Sequence, residues 1–145
     1  MLNFENSLTF KDGLEPDAAL RNFWAPEGAW VWSTGRWSEI NFAFEVGSRP
    51  LTGTVELIID LDVFKHEDKH AGQNVLIYLN GLRVGSLYCT HRMTVVFVFE
   101  AKILGKIDNV LTFDTPDSTK PSAFGSADDR VLGVQVFSVQ VRKTG

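Results

Sequence analysis

The sequence predicts an all-β fold, an antiparallel β-sandwich of jelly-roll type with about nine strands. Apolar and polar residues alternate with a period of two along most of the chain. Turn residues interrupt this alternation at spacings typical of all-β proteins, and no segment has the apolar periodicity of a three-turn amphipathic helix. Because 145 residues is the usual size of one compact domain, residues 1–145 are expected to form a single β-sandwich domain.

The clearest strands lie near the middle of the chain, in "INFAFEV" at 40–46 and "TVELIIDLDVF" at 54–64. Each segment places its apolar side chains on one face: Ile40, Phe42, Phe44 and Val46 in the first, and Val55, Leu57, Ile59, Leu61 and Val63 in the second. This pattern predicts two half-buried strands.

The second half of the chain adds more strands. "NVLIYLNGLRVGSLYC" predicts a hairpin about Asn80-Gly81, the pair that best tolerates the two positive φ angles of a type I′ turn. "HRMTVVFVFE" predicts a strand buried on both faces, "AKILG" a single helical turn or a loop, and "NVLTFD" another strand. In "GVQVFSVQVR" the alternation changes phase between Val136 and Phe137, which indicates a bulge or a strand buried on both sides.

Three segments lack this regularity, residues 12–29, 64–72 and 115–133. Irregular loops of that length in a compact sandwich are where a binding site is expected.

Charge and hydropathy exclude several classes of protein. The net charge of −4, with acidic and basic residues interspersed, gives no electrostatic surface for nucleic acid. The longest apolar run, "VVFVF" at 95–99, is too short to cross a bilayer, and the N-terminus has no signal-peptide pattern. The single cysteine, Cys89, excludes an internal disulfide and favours the cytoplasm, although a domain cut from a longer exported protein would have the same features.

The stretch "HEDKH" at 66–70 matches the zinc-protease pattern of two histidines four residues apart. That chemistry needs a helix to direct both imidazoles at one metal, and here the stretch follows a predicted strand and ends at Ala71-Gly72. We therefore interpret it as a charged, exposed hairpin loop. His66 and His70 remain only weak candidates for metal binding, and no cofactor is expected.

All four tryptophans lie between residues 24 and 37. An indole supplies a flat apolar surface that suits both core packing and stacking on the C–H face of a sugar. Trp30 and Trp32 share one face at strand spacing, which favours the core. Trp24 and Trp37 are expected to be exposed and are the better candidates for a binding surface.

"SADDRVLG" at 126–133 groups Asp128, Asp129 and Arg130. The three residues could cap and lock the long loop through an ion pair, or could present bidentate hydrogen bonds to sugar hydroxyls, and the two roles are compatible. Nucleophilic catalysis has little support, because the sequence has no Gly-x-Ser-x-Gly motif and Cys89 lies in a predicted strand. An enzyme, such as a metal-dependent hydrolase, is therefore the minor alternative.

Several of these stretches, taken in order, resemble a known class of domain. They are Trp24-x-Pro26-Glu27, "WVWSTG" at 30–35, "VLIYLNGLRVG" at 75–85, "NVLTF" at 109–113 and "PSAFGSADDRVLGV" at 121–134. Over roughly residues 20 to 142 the chain resembles the galactose-binding-like jelly-roll domains fused to bacterial membrane glycosyltransferases and other polysaccharide-handling proteins. The resemblance implies a non-catalytic β-sandwich that binds a glycan or packs on a carbohydrate-active protein.

Two hypotheses follow. In the first, the chain is a carbohydrate-binding module in which Trp24 or Trp37 stacks on a bacterial glycan, while Glu27, Asp128, Asp129 or Arg130 bind its hydroxyls. In the second, it is a structural or protein-interaction β-sandwich that self-associates or docks on a carbohydrate-active enzyme. The expected partners are therefore a sugar ligand, a carbohydrate-active protein or a second copy of the chain.

Overall fold

The structure, a computed structural model, describes residues 1–11, 13–14, 17–47, 51–105 and 107–144. The described residues contain ten strands: β1 Ser7–Thr9, β2 Ala18–Arg21, β3 Val31–Trp32, β4 Trp37–Phe42, β5 Thr54–Val63, β6 Gln73–Leu79, β7 Leu82–Cys89, β8 Met93–Glu100, β9 Asn109–Asp114 and β10 Val134–Lys143. Three short 3-10 helices complete the regular structure, at Glu67–Lys69, Ala101–Ile103 and Pro121–Phe124. None of these helices has the length and apolarity needed to span a membrane.

The strands form two five-stranded antiparallel sheets. Sheet A has the order β1-β10-β5-β8, with β3 pairing to one end of β10, and sheet B has the order β2-β4-β9-β6-β7. The predicted all-β antiparallel sandwich is thus confirmed. Apart from the β6–β7 hairpin, neighbouring strands come from separate parts of the sequence, and residues near 25 and 130 are brought together.

The predicted apolar faces form the core between the sheets. Leu57, Ile59 and Leu61 of β5 are fully buried, as is Ile40 of β4, while the intervening residues of both strands reach solvent. Burial of apolar surface at about 25 cal/mol per Å² is what holds the two sheets together. The alternation of the sequence therefore determines which face of each strand points inward.

Local geometry confirms two of the predicted irregularities. Asn80 and Gly81 have φ angles of 51° and 84°, as the predicted turn between β6 and β7 requires. The pairing of β10 with β5 shifts register between Val136 and Ser138, so Phe137 is the extra residue of a bulge. The predicted helical turn after β8 is the 3-10 helix Ala101–Ile103.

The prediction that β8 is buried on both faces is wrong. Its side chains alternate, with Phe99 in the core and with Val96 and Val98 49% and 58% exposed. β8 pairs with β5 alone in the described part of the chain, and its outer face is open to solvent. A continuous apolar run shows that a strand is apolar on both sides, but it does not show that another layer covers both sides.

The segment at 12–29 is also more regular than predicted. Its residues 18–21 form β2, which pairs with β4 at the edge of sheet B, while residues 12, 15 and 16 lie outside the described part. The loop at 115–133 is closed at its base by a pair of backbone hydrogen bonds of 3.1 and 2.8 Å between Thr119 and Leu132. These two bonds hold the ends of the loop together.

Candidate functional site

The tryptophan-rich segment folds back on itself between residues 22 and 34. The backbone N–H of Trp24 donates to the carbonyl of Trp32 at 2.9 Å, and that of Glu27 donates to the carbonyl of Trp30 at 2.9 Å. Gly28, with a φ of 77°, lies at the tip, where a side chain would be strained. We call residues 22–34 the tryptophan hairpin.

Trp30 and Trp32 do not enter the core, contrary to the preference drawn from their spacing. Val31, between them, is fully buried opposite Val136 of β10, so both indoles lie on the outer face of sheet A. There Trp30 packs against Phe137 with ring centroids 5.9 Å apart. Period-two spacing showed that the two tryptophans share a face, and the pairing with β10 decides which face it is.

Trp24 is 36% exposed and lies against the loop at 115–133. Its indole Nε1 donates a hydrogen bond of 3.2 Å to the carbonyl oxygen of Val131, and Cζ of Arg130 lies 5.9 Å from the ring centroid. The ring is therefore held by its polar edge and by a cation, with part of its apolar surface left in solvent.

Arg130 joins the hairpin to the loop. Its Nε and NH2 donate to the carboxylate of Asp128 at distances from 2.9 to 3.3 Å, and its NH1 donates to Oε1 of Glu27 at 3.1 Å. The hydrogen bonds from Arg130 lower the pKa of the Asp128 carboxyl, and those to Asp128 raise the pKa of Arg130. Trp24, Glu27, Asp128 and Arg130 thus form one group, which we call the Trp24 cluster.

Asp129 points away from the Trp24 cluster. Its Oδ1 accepts a hydrogen bond of 2.8 Å from Oγ of Ser122 and lies 3.6 Å from Nζ of Lys120, and its side chain is 76% exposed. The predicted locking role is therefore divided between the two carboxylates. Asp128 binds Arg130, and Asp129 stabilises the turn that follows Pro121.

Trp37 is exposed as expected, but it belongs to a different surface, the outer face of sheet B. It is 48% exposed, and the ring of Tyr78 on β6 lies 6.2 Å away at an interplanar angle of 49°. Arg36 lies beside the indole and donates two hydrogen bonds to the buried carboxylate of Asp114, which raise the pKa of Arg36. In the described part of the chain, the ring contacts of Trp37 are with Tyr78 and Arg36, and its carbonyl oxygen accepts a hydrogen bond from Asn22, which lies outside the Trp24 cluster.

Tyr78 was missed at the level of sequence, although a signal was available. In "NVLIYLNG" it alternates with Val75, Ile77 and Leu79, all of which are fully buried, so its side chain must lie on the outer face. What the sequence could not show is that β9 alone separates β6 from β4, which brings Tyr78 close to Trp37.

His66 and His70 lie on either side of a 3-10 turn, not on an α-helix, and they exchange backbone hydrogen bonds of 2.8 and 3.0 Å. The predicted exposed hairpin loop is confirmed for Glu67–Lys69, but it is wrong for these two histidines. Both are half-buried, and their rings lie against Phe124, with His66 stacked at 5.0 Å and His70 tilted at 5.7 Å. Among the described residues, no group of three or more histidine, cysteine, aspartate or glutamate side chains is placed to hold a metal.

Solved structures with similar folds align with nearly the whole chain. The C-terminal CBM6 of LamC, a marine laminarinase from Zobellia galactanivorans, has a TM-score of 0.55 at 13% identity, covering 95% of this chain and 100% of that one. The CBM35 from Paenibacillus barcinonensis has a TM-score of 0.55 at 12% identity, covering 96% and 99%. The CBM22-1 xylan-binding domain of Xyn10C from the same organism has a TM-score of 0.55 at 12% identity, covering 97% and 95%.

The fold is that of the carbohydrate-binding-module (CBM) jelly rolls. The expected resemblance to such domains is thereby confirmed for the fold. No protein-family model matches the chain, and no curated protein sequence matches it. At identities of 12 to 13% the likeness concerns the arrangement of strands, so the function has to be argued from the side chains of this chain.

Proposed function

We propose that this chain is a non-catalytic carbohydrate-binding module that holds a glycan at the Trp24 cluster. The observation that carries the proposal is the convergence of an exposed indole with fixed carboxylates and a guanidinium. Trp24 and Glu27 come from the hairpin, and Asp128 and Arg130 come from a loop about one hundred positions away. Aromatic surface beside a few oriented polar groups is the usual composition of a sugar site.

Each group of the Trp24 cluster has a chemical role in the proposal. The exposed part of the Trp24 ring stacks on the apolar C–H face of a pyranose. The guanidinium has five N–H donors, and its Nε, NH1 and NH2 each direct one toward a carboxylate, which leaves two for sugar hydroxyls. The remaining lone pairs of Glu27 and Asp128 accept hydrogen bonds from hydroxyls. Because the ion pairs hold these groups in place, little side-chain entropy is lost on binding.

Trp37 and Tyr78 provide a second aromatic surface, on the outer face of sheet B. Its rings are exposed, but the guanidinium beside them, that of Arg36, is bound to the buried carboxylate of Asp114. We therefore place the principal site at the Trp24 cluster and treat the sheet face as the competing location for the same function.

Two features support a role without catalysis. The solved structures of similar fold are described as carbohydrate-binding modules. Cys89 is buried, and burial raises the pKa of its thiol, so the thiolate needed for nucleophilic attack is disfavoured.

The proposal is tested by isothermal titration of the protein with bacterial polysaccharide fragments and with xylan fragments. Trp24→Ala and Asp128→Ala are expected to weaken binding at least tenfold, since each removes a group that contacts the sugar. Asp129→Ala is the matched control for Asp128→Ala and is expected to bind as the wild type does, because Asp129 faces Ser122 and Lys120.

The Trp37→Ala variant locates the site. If Trp37→Ala abolishes binding and Trp24→Ala does not, glycan binding stands and the site moves to the face of sheet B. Absence of binding to every fragment at millimolar sugar would contradict the proposed function itself. The alternative of a structural or interaction domain is favoured by one other observation, the open edge of sheet A at β8, which pairs with β5 alone in the described part of the chain.

A further inference from the structure

An open cavity of about 400 Å³ lies where the loop at 64–72 meets the start of the loop at 115–133. It lies at the end of the sandwich where β7 and β9 end and β6 and β10 begin, which is also the end that carries the Trp24 cluster. We call it the Tyr88 pocket, and its larger lining side chains are those of Asp68, Lys69, His70, Asn74, Tyr88 and Asp117. None of these residues belongs to the Trp24 cluster.

The ring of Tyr88 forms one wall of the pocket. Tyr88 pairs with Asn74 of β6. Because the adjacent residues Val75 and Cys89 are fully buried, the side chains of Tyr88 and Asn74 lie on the outer face of sheet B. A Cβ added to Gly72 would lie 3.0 Å from Cζ of Tyr88, so the glycine leaves room for the ring to lie close to the backbone. The ring is supported from below, and 57% of Tyr88 remains exposed.

A carboxylate with a fixed orientation lines the same cavity. Oδ2 of Asp117 accepts hydrogen bonds from the backbone N–H of Asn74 at 2.7 Å and from its Nδ2 at 3.0 Å. Oδ1 of Asp117 has no hydrogen-bond partner in the described part of the chain, so it is available to accept from a ligand. Lys69, on the exposed 3-10 turn, adds an ammonium group that forms no ion pair with any described residue.

The chemistry of the lining indicates the class of ligand. The carboxylates of Asp68 and Asp117 outnumber the ammonium of Lys69, which disfavours phosphate and other anions. Polar side chains surround the ring of Tyr88, which disfavours a wholly apolar ligand. Within the described ranges, no group of three or more acidic, histidine or cysteine side chains is placed to hold a metal. A neutral ligand with one apolar face and several hydroxyls, such as a pyranose, matches both the ring and the polar groups.

We propose that the Tyr88 pocket is a second carbohydrate subsite, which binds a neutral pyranose. The C–H face of the sugar stacks on Tyr88, one hydroxyl donates to Oδ1 of Asp117, and another accepts from Nζ of Lys69. This inference rests on the proposed function, because the ligand belongs to the same chemical class. It uses different residues, so each of the two sites can be tested without the other.

The Tyr88 pocket is separate from the two aromatic surfaces described above. On the outer face of sheet B, β9 and β6 lie between Trp37 of β4 and Tyr88 of β7, a separation of three strand spacings or about 14 Å. The loop at 115–133 connects the pocket to the Trp24 cluster, with Asp117 near its start and Asp128 and Arg130 near its end. A glycan long enough to occupy both sites gains affinity over a short fragment without any further contact.

An amide NMR titration of the whole chain tests the subsite. The probes are the methyl β-glycosides of glucose, galactose and xylose, with inorganic phosphate as the anionic comparison. The backbone amides of Gly72, Asn74 and Asp117 report on the Tyr88 pocket, and the indole N–H groups of Trp24 and Trp37 report on the other two surfaces. At millimolar concentration the neutral glycosides are expected to shift the pocket amides in a saturable way, and phosphate is expected to leave them unchanged.

Variants identify the contacts. Tyr88→Ala is expected to weaken glycoside binding at the pocket amides about fivefold, because it removes the stacking surface, whereas Tyr88→Phe keeps the ring and should bind within about twofold of the wild type. Leu82→Ala is the matched control, since Leu82 is 55% exposed at the other end of the same strand. Asp117→Asn keeps an acceptor for the N–H of Asn74 and should weaken binding about threefold, because the hydrogen bond to the sugar is no longer charge-assisted. It provides the second test if Tyr88→Ala does not fold.

The outcomes separate this inference from the proposed function. Pocket shifts that Tyr88→Ala weakens and Leu82→Ala does not would support the subsite, even with no response at Trp24. A response at Trp24 or Trp37 with none at the pocket amides would overturn the subsite and leave the proposed function standing. Pocket shifts that phosphate reproduces, or that Tyr88→Ala leaves unchanged, would also overturn the subsite. No response at any of these groups would overturn both.

Discussion

The backbone N–H of Val134 donates a buried hydrogen bond of 2.8 Å to Oγ of Ser33. This bond connects the start of β10 to the tryptophan hairpin. The carbonyl of Val134 in turn accepts a hydrogen bond of 2.8 Å from the N–H of Ser33. The strand that supports Trp24 is therefore tied to the centre of sheet A by both backbone and side chain.

Ser33→Ala is predicted to lower the free energy of unfolding by about 1–3 kcal/mol, because it leaves the buried N–H of Val134 with one partner fewer. Ser38→Ala is the matched control, since Ser38 is equally buried but its hydroxyl has no hydrogen-bond partner in the structure. Its stability is expected to be unchanged or slightly raised. Urea denaturation of both variants measures the difference, and equal losses would contradict the assignment.

Asn80 is predicted to stabilise the β6–β7 turn through the hydrogen bonds of its side chain as well as through its left-handed backbone conformation. Its Nδ2 donates to the carbonyl of Ile103 at 2.7 Å and to Oδ1 of Asn109 at 3.0 Å, and its Oδ1 accepts from the N–H of Val110 at 2.8 Å. Asn80→Gly keeps the positive φ and loses these bonds, at a cost of about 2 kcal/mol in unfolding free energy.

Asn80→Ala loses the same bonds and adds the strain of a left-handed alanine, about 1 kcal/mol more. Chemical denaturation of the two variants separates the side-chain contribution from the backbone contribution. An Asn80→Gly protein as stable as the wild type would show that Asn80 contributes only its backbone conformation.

Gly85→Ala is predicted to destabilise the protein by about 1–3 kcal/mol through overpacking. A Cβ at this position would lie 2.2 Å from the ring of Phe97, so β7 and β8 would have to separate. The neighbouring Ser86→Ala, at an exposed position, should change stability by less than about 0.5 kcal/mol. Combining Gly85→Ala with Phe97→Leu should cost less than the sum of the two, because the smaller side chain leaves room for the methyl group.

The attachment of the loop at 115–133 is predicted to depend on pH through Asp128. Arg130 lowers the folded-state pKa of this carboxyl. The ion pair therefore stabilises the attached loop fully above the unfolded-state pKa of Asp128, which is about 3.9. It is lost as the pH falls through the lower folded-state value. Tryptophan emission should therefore change in this acidic range, since Trp24 lies beside Arg130.

Arg130→Met is the comparison for this titration. Without the guanidinium there is no ion pair for protonation of Asp128 to break, so the acid change in emission that comes from the cluster should be absent or much smaller than in the wild type. Trp24→Phe removes the reporter and should abolish the part of the signal that comes from the cluster. An identical acid profile in the wild type and Arg130→Met would show that the pair does not hold the loop.

Local features of the fold could be predicted from the sequence because they depend on neighbouring residues alone. The turn at Asn80-Gly81 follows from the few residue pairs that tolerate two positive φ angles, and the bulge at Phe137 follows from a change of phase. The inward face of β5 follows from alternation of apolar and polar side chains. The sequence argues against the zinc interpretation of residues 66–70 for the same local reason, since that stretch follows a strand and has no room for an α-helix.

Pairing between distant segments decided the rest. Alternation alone could not tell whether Val31 or its two tryptophan neighbours face the core, because all three are apolar, and only the pairing with β10 resolves it. The open face of β8 depends in the same way on its position at the edge of sheet A.

The sequence by itself therefore determined most of the strands, the inward faces of β4 and β5, and the residue types that can bind a sugar. Only the tertiary structure brought Trp24 and Glu27 against Asp128 and Arg130, and placed Trp37 on another surface beside Tyr78. The physical reason is that strand patterns arise from interactions between near neighbours. A binding site, by contrast, depends on which strands lie side by side, and that is set by the packing of the whole sandwich.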